Sequence, residues 1–173
     1  MSQILPASSF AAPPCPTPAD MRATLANFAT GVAVISTVDA QGRPFGMTVN
    51  SFNAVSLDPP LVLWSLGLGA QSLPIWRAAG GFAVNILSAG QEPLSRQFSS
   101  RLEDRFAGVN WRAGRDGLPL LDGAVAQFEC RFWARYPGGD HEIMVGEVLA
   151  CHRAEAIPLV YAQGRMGTLQ PAG

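Results

Sequence analysis

A mainly β domain, built as an antiparallel barrel with a few short helices on its flanks, is the fold class this sequence predicts. Three observations carry that reading. β-Branched and apolar runs of strand length follow one another from Val32 onward, with turn residues between them. Both parities of Val32-Ala33-Val34-Ile35 are apolar, as in a strand covered on both faces. The length of 173 residues fits one core and leaves little room for a second.

Composition narrows the function classes. Hydrophobic residues make up 48% of the chain and charged residues 14%, so apolar material is ample and the surface is poor in charge. Much of that surface is expected to be buried against a partner. All basic residues are arginine and the net charge is −1, which leaves no cationic field to collect nucleic acid or anionic lipid. Three cysteines, Cys15, Cys130 and Cys151, lack both an even count and metal-site spacing, so no disulfide framework or metal site is expected and a reducing cytoplasm fits. Pro6, Pro13, Pro14, Pro16 and Pro18 break the apolar runs of an N-terminal stretch without Lys or Arg, against a secretory signal. No run reaches membrane-spanning length.

Residues 1–19, rich in Pro, Ala and Ser, are expected to form a mobile tail ahead of a domain over 20–173. Asp20 is placed to cap a short amphipathic helix over Met21–Phe28, and Gly31 to end it. Strands are expected over Val32–Val38, Phe45–Val49, Phe52–Leu57 and Leu61–Leu66, with Pro59-Pro60 fixing the approach to the last. Gln71–Ala79 and Gln91–Ser99 read as helices flanking a strand over Phe82–Leu87. Residues 101–123 keep no period and read as loop. Over Ala124–Tyr136 the even positions Ala126, Phe128, Cys130, Phe132 and Tyr136 are apolar and alternate with Gln127, Glu129, Arg131 and Arg135, so the odd face is expected to meet water or a partner. A hairpin through Pro137-Gly138-Gly139-Asp140 leads into a strand over His141–Arg153, whose inward parity switches at Gly146 and implies a β-bulge there.

Three segments stand out as candidate sites. Gly46-Met47-Thr48-Val49-Asn50-Ser51-Phe52 sets small polar side chains in a core-like run. It is either a strand edge with turn residues or a ledge of N–H groups and hydroxyls for the edge of a flat heterocycle. Ser65-Leu66-Gly67-Leu68-Gly69-Ala70-Gln71-Ser72 joins a strand to a helix through glycines, as a plain capped loop or as a phosphate cradle. Gly139-Asp140-His141 places a histidine at a sheet rim beside a bulge, as a solvated turn residue or a functional one. His152, Cys130, Trp64, Trp76 and Trp133 are read as structural or interface residues.

Taken in order, Phe28-Ala29-Thr30-Gly31-Val32, Gly46–Phe52, Ser56-Leu57-Asp58-Pro59-Pro60-Leu61-Val62, Phe82-Ala83-Val84-Asn85-Ile86-Leu87, Gly139-Asp140-His141 and Pro158-Leu159-Val160-Tyr161 resemble the flavin reductase family, which includes reductase components of two-component flavin monooxygenases. The resemblance covers roughly residues 20–170 and implies a split β-barrel of antiparallel strands, Greek-key in type: the FMN-binding split barrel. It also implies a homodimer, FMN or FAD on the Thr48–Ser51 ledge, a flavin phosphate near Ser65–Ser72, and NADH or NADPH as hydride donor. By the same resemblance, His141 is the catalytic candidate, while Met47, Thr48, Val49, Asn50, Ser51, Ser65, Leu66, Gly67, Gln71, Ser72, Phe98 and Ser99 are the cofactor-binding candidates. Leu66–Ser72 carries no basic residue, so the phosphate charge falls to a helix terminus or to an arginine such as Arg101, Arg105 or Arg165. A reductase feeding a partner monooxygenase, an FMN-retaining reductase of a corrinoid or quinone, and a flavin-holding electron carrier all remain compatible with the residues.

Overall fold

The computed structural model describes residues 15–169, so most of the expected tail lies outside the described residues. In chain order the elements are α1 (Pro18–Leu25), β1 (Thr30–Gly31), β2 (Ala33–Val38), β3 (Pro44–Val49), β4 (Asn53–Leu57), β5 (Pro60–Gly67), α2 (Leu73–Ala78) and β6 (Gly81–Ile86). They continue with α3 (Glu92–Ser99), β7 (Trp111–Ala113), β8 (Pro119–Leu121), β9 (Ala126–Gly138), β10 (His141–Arg153), β11 (Leu159–Ala162) and β12 (Arg165–Thr168). Seven strands form one antiparallel sheet in the order β3-β2-β6-β9-β10-β5-β4. Its end strands β3 and β4 follow each other in the chain yet share no ladder, which leaves the barrel split between them. β1, β11 and β12 make a second small sheet.

The double apolar parity of β2 has a direct cause. Ala33 and Ile35 point into the barrel with Trp64, Trp76, Phe82 and Met144, while Val32 and Val34 pack outside it with Leu87, Phe98, Phe106 and Leu159. The barrel centre is aromatic: Trp64 meets Trp76 edge-on at 4.8 Å between ring centroids and Phe82 at 5.9 Å. Trp133, in contrast, is exposed on the outer face.

Four local expectations are corrected. Thr17, rather than Asp20, caps α1: its hydroxyl accepts from the Asp20 N–H, and the Asp20 carboxylate accepts from the Thr17 N–H, in a reciprocal capping box with Pro18 in the first turn. The helix stops at Leu25, where the Asn27 side chain turns back onto the Ala23 and Thr24 carbonyls. It buries no residue, so the apolar stripe Met21, Leu25 and Phe28 stays exposed.

Residues 101–123 are not all loop, because β7 and β8 form a hairpin laid over the outside of the barrel. Strands of three residues are too short to show a period. The hairpin is fixed by Asn85 on β6, which is fully buried: its Nδ2 donates to the Val34 carbonyl and to the Ser36 hydroxyl, and its Oδ1 accepts from the Leu121 N–H and from Gln127. This cover also changes the odd face of β9. Gln127 and Glu129 are buried beneath the hairpin, donating to the Leu121 carbonyl and accepting from the Arg115 N–H respectively. Arg131 and Trp133 alone keep the exposed placement expected of that face in this stretch.

The register of β9 and β10 slips between Val145 and Gly146, where the bulge is expected. The extra residue is Trp133 on β9, and a second slip falls at Leu149. Gly146 has no room for a side chain, since a Cβ there would overlap the Phe82 ring.

Candidate functional site

The ledge lies at the split. β3 carries Gly46 to Val49, and Asn50 to Phe52 turn the chain into β4. Gly46 lets α3 approach: a Cβ at this position would stand 3.0 Å from the Phe98 ring. Thr48 ties the strand to that helix by donating its hydroxyl to the Ser95 carbonyl at 2.7 Å. Ser51 ties the turn to β5, accepting from the Ser65 N–H at 3.0 Å.

A cleft of about 730 Å³ opens along this ledge. Thr48, Val49 and Asn50 line one side, Ser95, Arg96 and Ser99 of α3 another, and Tyr161, Arg165 and Met166 of the β11–β12 hairpin a third. A second depression of about 610 Å³ adjoins it, sharing Asn50 and Tyr161 and reaching Ser51, Phe52 and Phe28. The two form a concave strip with polar groups set among apolar walls, the usual make-up of a small-molecule site. Ser95 lines the cleft, and its buried hydroxyl has no hydrogen-bond partner among the described residues. Such a group is a ready donor or acceptor for a bound molecule.

His141 opens β10 opposite Gly67, the last residue of β5. Its Nδ1 donates to the Asp140 carboxylate at 2.7 Å, which fixes the ring and directs Nε2 towards Gly67. The hydrogen bond and charge of His141 hold the Asp140 carboxyl below the usual carboxylate range. The Leu68 N–H donates to the Asp140 carbonyl at 2.9 Å, so this hairpin also clamps the Ser65–Ser72 loop.

The sequence candidates therefore separate into four groups. Thr48, Val49, Asn50 and Ser99 share the cleft. Ser51, Ser65, Gly67 and His141 lie along the adjoining strand ends, linked by the Ser51–Ser65 hydrogen bond and the β5–β10 ladder. Met47, Leu66 and Phe98 are packing residues, the first two against the barrel core and Phe98 edge-on to Phe106 at 4.9 Å. Gln71 and Ser72 sit in the turn before α2, and neither lines the cleft. Sequence reasoning missed Ser95, which carries no local signal in a helix of mixed composition. Tyr161 belongs to a quoted family marker and Arg165 to a list of possible charges, but only the hairpin geometry brings them to the ledge. Among the described residues, no cluster of three or more His, Cys, Asp or Glu side chains is arranged to hold a metal, and no helix is long and apolar enough to cross a membrane.

Comparison with known proteins gives this arrangement a family. The flavin reductase-like domain matches residues 25–170. A probable flavin reductase of Rhizobium meliloti is 43% identical over 156 residues, which are 90% of this chain and 50% of that protein, so the chain spans about half the length of this relative. The FMN reductase (NADH) SmoA of Agrobacterium fabrum is 43% identical over 146 residues, covering 84% of this chain and 83% of that one. Among solved structures, the Streptomyces globisporus NADH:FAD oxidoreductase SgcE6 in complex with NAD and FAD fragments is 39% identical, with a TM-score of 0.84 over 88% of this chain and 93% of that chain. A split antiparallel barrel, a polar ledge at its split and a domain match over most of the chain lead to one assignment: the chain belongs to the flavin reductase-like family.

Proposed function

We propose that the chain is an NAD(P)H:flavin oxidoreductase that binds FMN or FAD along the Thr48–Ser51 ledge and supplies reduced flavin to a partner monooxygenase. The observation that carries this is the cleft beside the ledge, lined by Ser95, whose buried hydroxyl has no partner among the described residues. The residues present suit a flavin. Val32, Val49, Tyr161 and Met166 offer apolar walls for a flat ring, and Thr48, Asn50, Ser95 and Ser99 offer polar groups for its edge and side chain.

When bound, flavin supplies the hydride acceptor and the nicotinamide the donor, so the protein's work is to align two rings and exclude water. Thr48, anchored to Ser95, and Ser51, anchored to Ser65, hold the ledge rigid on both sides of Asn50. His141, with Nδ1 held by Asp140, positions the donor or tunes the flavin through Nε2. Cation–anion chemistry and strong acids or bases are not required for the transfer itself. A homodimer is the proposed assembly, supported by the uncovered apolar residues Leu25 and Phe28 beside the second depression. Three free thiols suit a reducing cytoplasm.

The test is to record whether the purified protein is yellow and to follow NADH and NADPH oxidation with and without added FMN, FAD or riboflavin. Turnover that depends on added flavin is the expected result. Turnover of retained flavin only with a non-flavin acceptor would replace the proposal by an acceptor reductase, and a yellow protein without nicotinamide oxidation by a carrier. A colourless protein that binds no flavin would sink it. His141→Ala is expected to lower turnover without abolishing it, and an unchanged rate with unchanged nicotinamide affinity would remove His141 from the account.

A further inference from the structure

We infer that the cavity beside the β7–β8 turn is a second ligand site, separate from the cleft at the ledge, and that it binds a short-chain primary alkylammonium with Glu129 as its anion. The inference stands independently of the flavin reading.

The cavity holds about 240 Å³ and shares no lining residue with the cleft or with the depression that adjoins it. β9 contributes Glu129 to it, and the turn between β7 and β8 contributes Arg115, Asp116 and Leu118. The space is far smaller than the cleft and suits a ligand of a few heavy atoms.

Glu129 gives the cavity its chemistry. The residue is only 5% exposed, and a carboxylate so placed is costly unless its oxygens are met. One of them is, because Oε2 accepts from the Arg115 N–H. Oε1 accepts no hydrogen bond among the described residues. The basic group facing it is His152, whose Nε2 stands 3.9 Å away, beyond hydrogen-bond reach. After burial, the same negative charge is the second cause that pushes the neighbouring Cys130 thiol up.

The arginines around the cavity leave that charge standing. Arg131 is held by Glu147 of β10, and Arg115 is offset by the adjacent Asp116, both of them exposed. One negative charge remains, and it is the buried one.

The class of ligand follows from what is free. With Oε2 occupied, a single carboxylate oxygen is open, which fits the point charge of an ammonium better than the two-pronged guanidinium. Thr37 also lines the cavity and is buried; its hydroxyl donates to the Gly81 carbonyl at 2.9 Å and keeps lone pairs for a second ammonium proton. Val38, Leu118 and Leu149 supply apolar wall for a short carbon chain. Leu149 is the unpaired residue at the second register slip of β9 and β10, a kind of irregularity that re-aims side chains. A metal ion fits less well, because among the described residues no group of three or more His, Cys, Asp or Glu side chains gathers to hold one.

The test uses the full chain, with n-propylammonium chloride as the probe. Binding is read by titration calorimetry and by the rise in Tm, against sodium chloride, tetramethylammonium chloride and 1-propanol at matched concentration. Propylammonium is expected to bind and to raise Tm above all three controls. Glu129→Gln keeps an oxygen for the Arg115 N–H but drops the charge, and is expected to weaken propylammonium roughly tenfold or more, as loss of a charge-assisted contact predicts. Leu149→Trp fills the cavity from a partly exposed position without altering Glu129, and is expected to weaken it by a similar factor with an unchanged circular dichroism spectrum. This second variant decides the matter where Glu129→Gln does not fold. A wild type that does not bind propylammonium, an equal response to tetramethylammonium or to propanol, or undiminished binding in either folded variant would overturn the assignment.

Discussion

The Ser51 hydroxyl accepts a hydrogen bond from the Ser65 N–H at 3.0 Å, and this contact carries the β4–β5 register on past the end of their ladder, into the turn where the chain leaves β3. A side chain here does what a strand pair does elsewhere in the barrel. Ser51→Ala should leave the Ser65 N–H without that partner and lower stability by about 0.5–1.5 kcal/mol. Equilibrium urea unfolding reads this as a lower midpoint with an unchanged slope, and Ser51→Thr, which keeps the hydroxyl, should recover most of it.

Asn85 is the centre of the buried polar network that docks β7 and β8. Asn85→Leu keeps the approximate volume but strips partners from the Leu121 N–H and from the Ser36 and Gln127 side chains, a loss of about 2–4 kcal/mol. Thermal unfolding checks the size, and faster hydrogen exchange over 111–121 than over β2 would locate the damage in the hairpin.

Gly146→Ala puts a methyl group into the Phe82 ring and is expected to cost about 1–3 kcal/mol. Adding Phe82→Leu should relieve part of the overlap, so the double variant should be less destabilised than the sum of the two single ones. A double-mutant cycle measures that coupling.

Burial, and then the charge of Glu129, push the Cys130 thiol up to about 12. At pH 8 a thiol reagent is therefore expected to modify Cys15 and Cys151, both exposed, and to reach Cys130 only on unfolding. The sign of the linkage follows from a raised native value. The protonated thiol supports the fold below the ordinary thiol range, and that support falls away as pH rises from about 9 towards 12. Cys130→Ala, compared with the wild type over that range, should flatten this part of the stability profile.

The strands were legible because their physics is local. Alternation along 126–132 and double apolar parity along 32–35 follow from how a strand is covered. What escaped is covered by distant chain. Gln127 and Glu129 look like outward residues until the β7–β8 hairpin is laid over them, and that hairpin is specified by Asn85, 26 residues before its first strand begins. The site divides in the same way. Thr48 to Asn50 announce themselves as small polar residues in a core-like run, and Ser99 enters through resemblance. Ser95 and Tyr161 join the cleft only through the packing of α3 and the turn at Gln163-Gly164, which no nearby residue encodes. Phe98 and Leu66 show the converse, since residues beside a site can be there to shape its walls from behind.

α1 adds almost nothing to the cooperative unit of the single chain. It buries no side chain, and its tether is the pair of hydrogen bonds from Gln163 to Ala26 and Asn27 just beyond its end. Its amides should therefore exchange through local opening at low free energy, long before the barrel yields, and a protease should cut within it while the remainder stays folded. A melting curve of the monomer would thus report the barrel and be silent about its first helix.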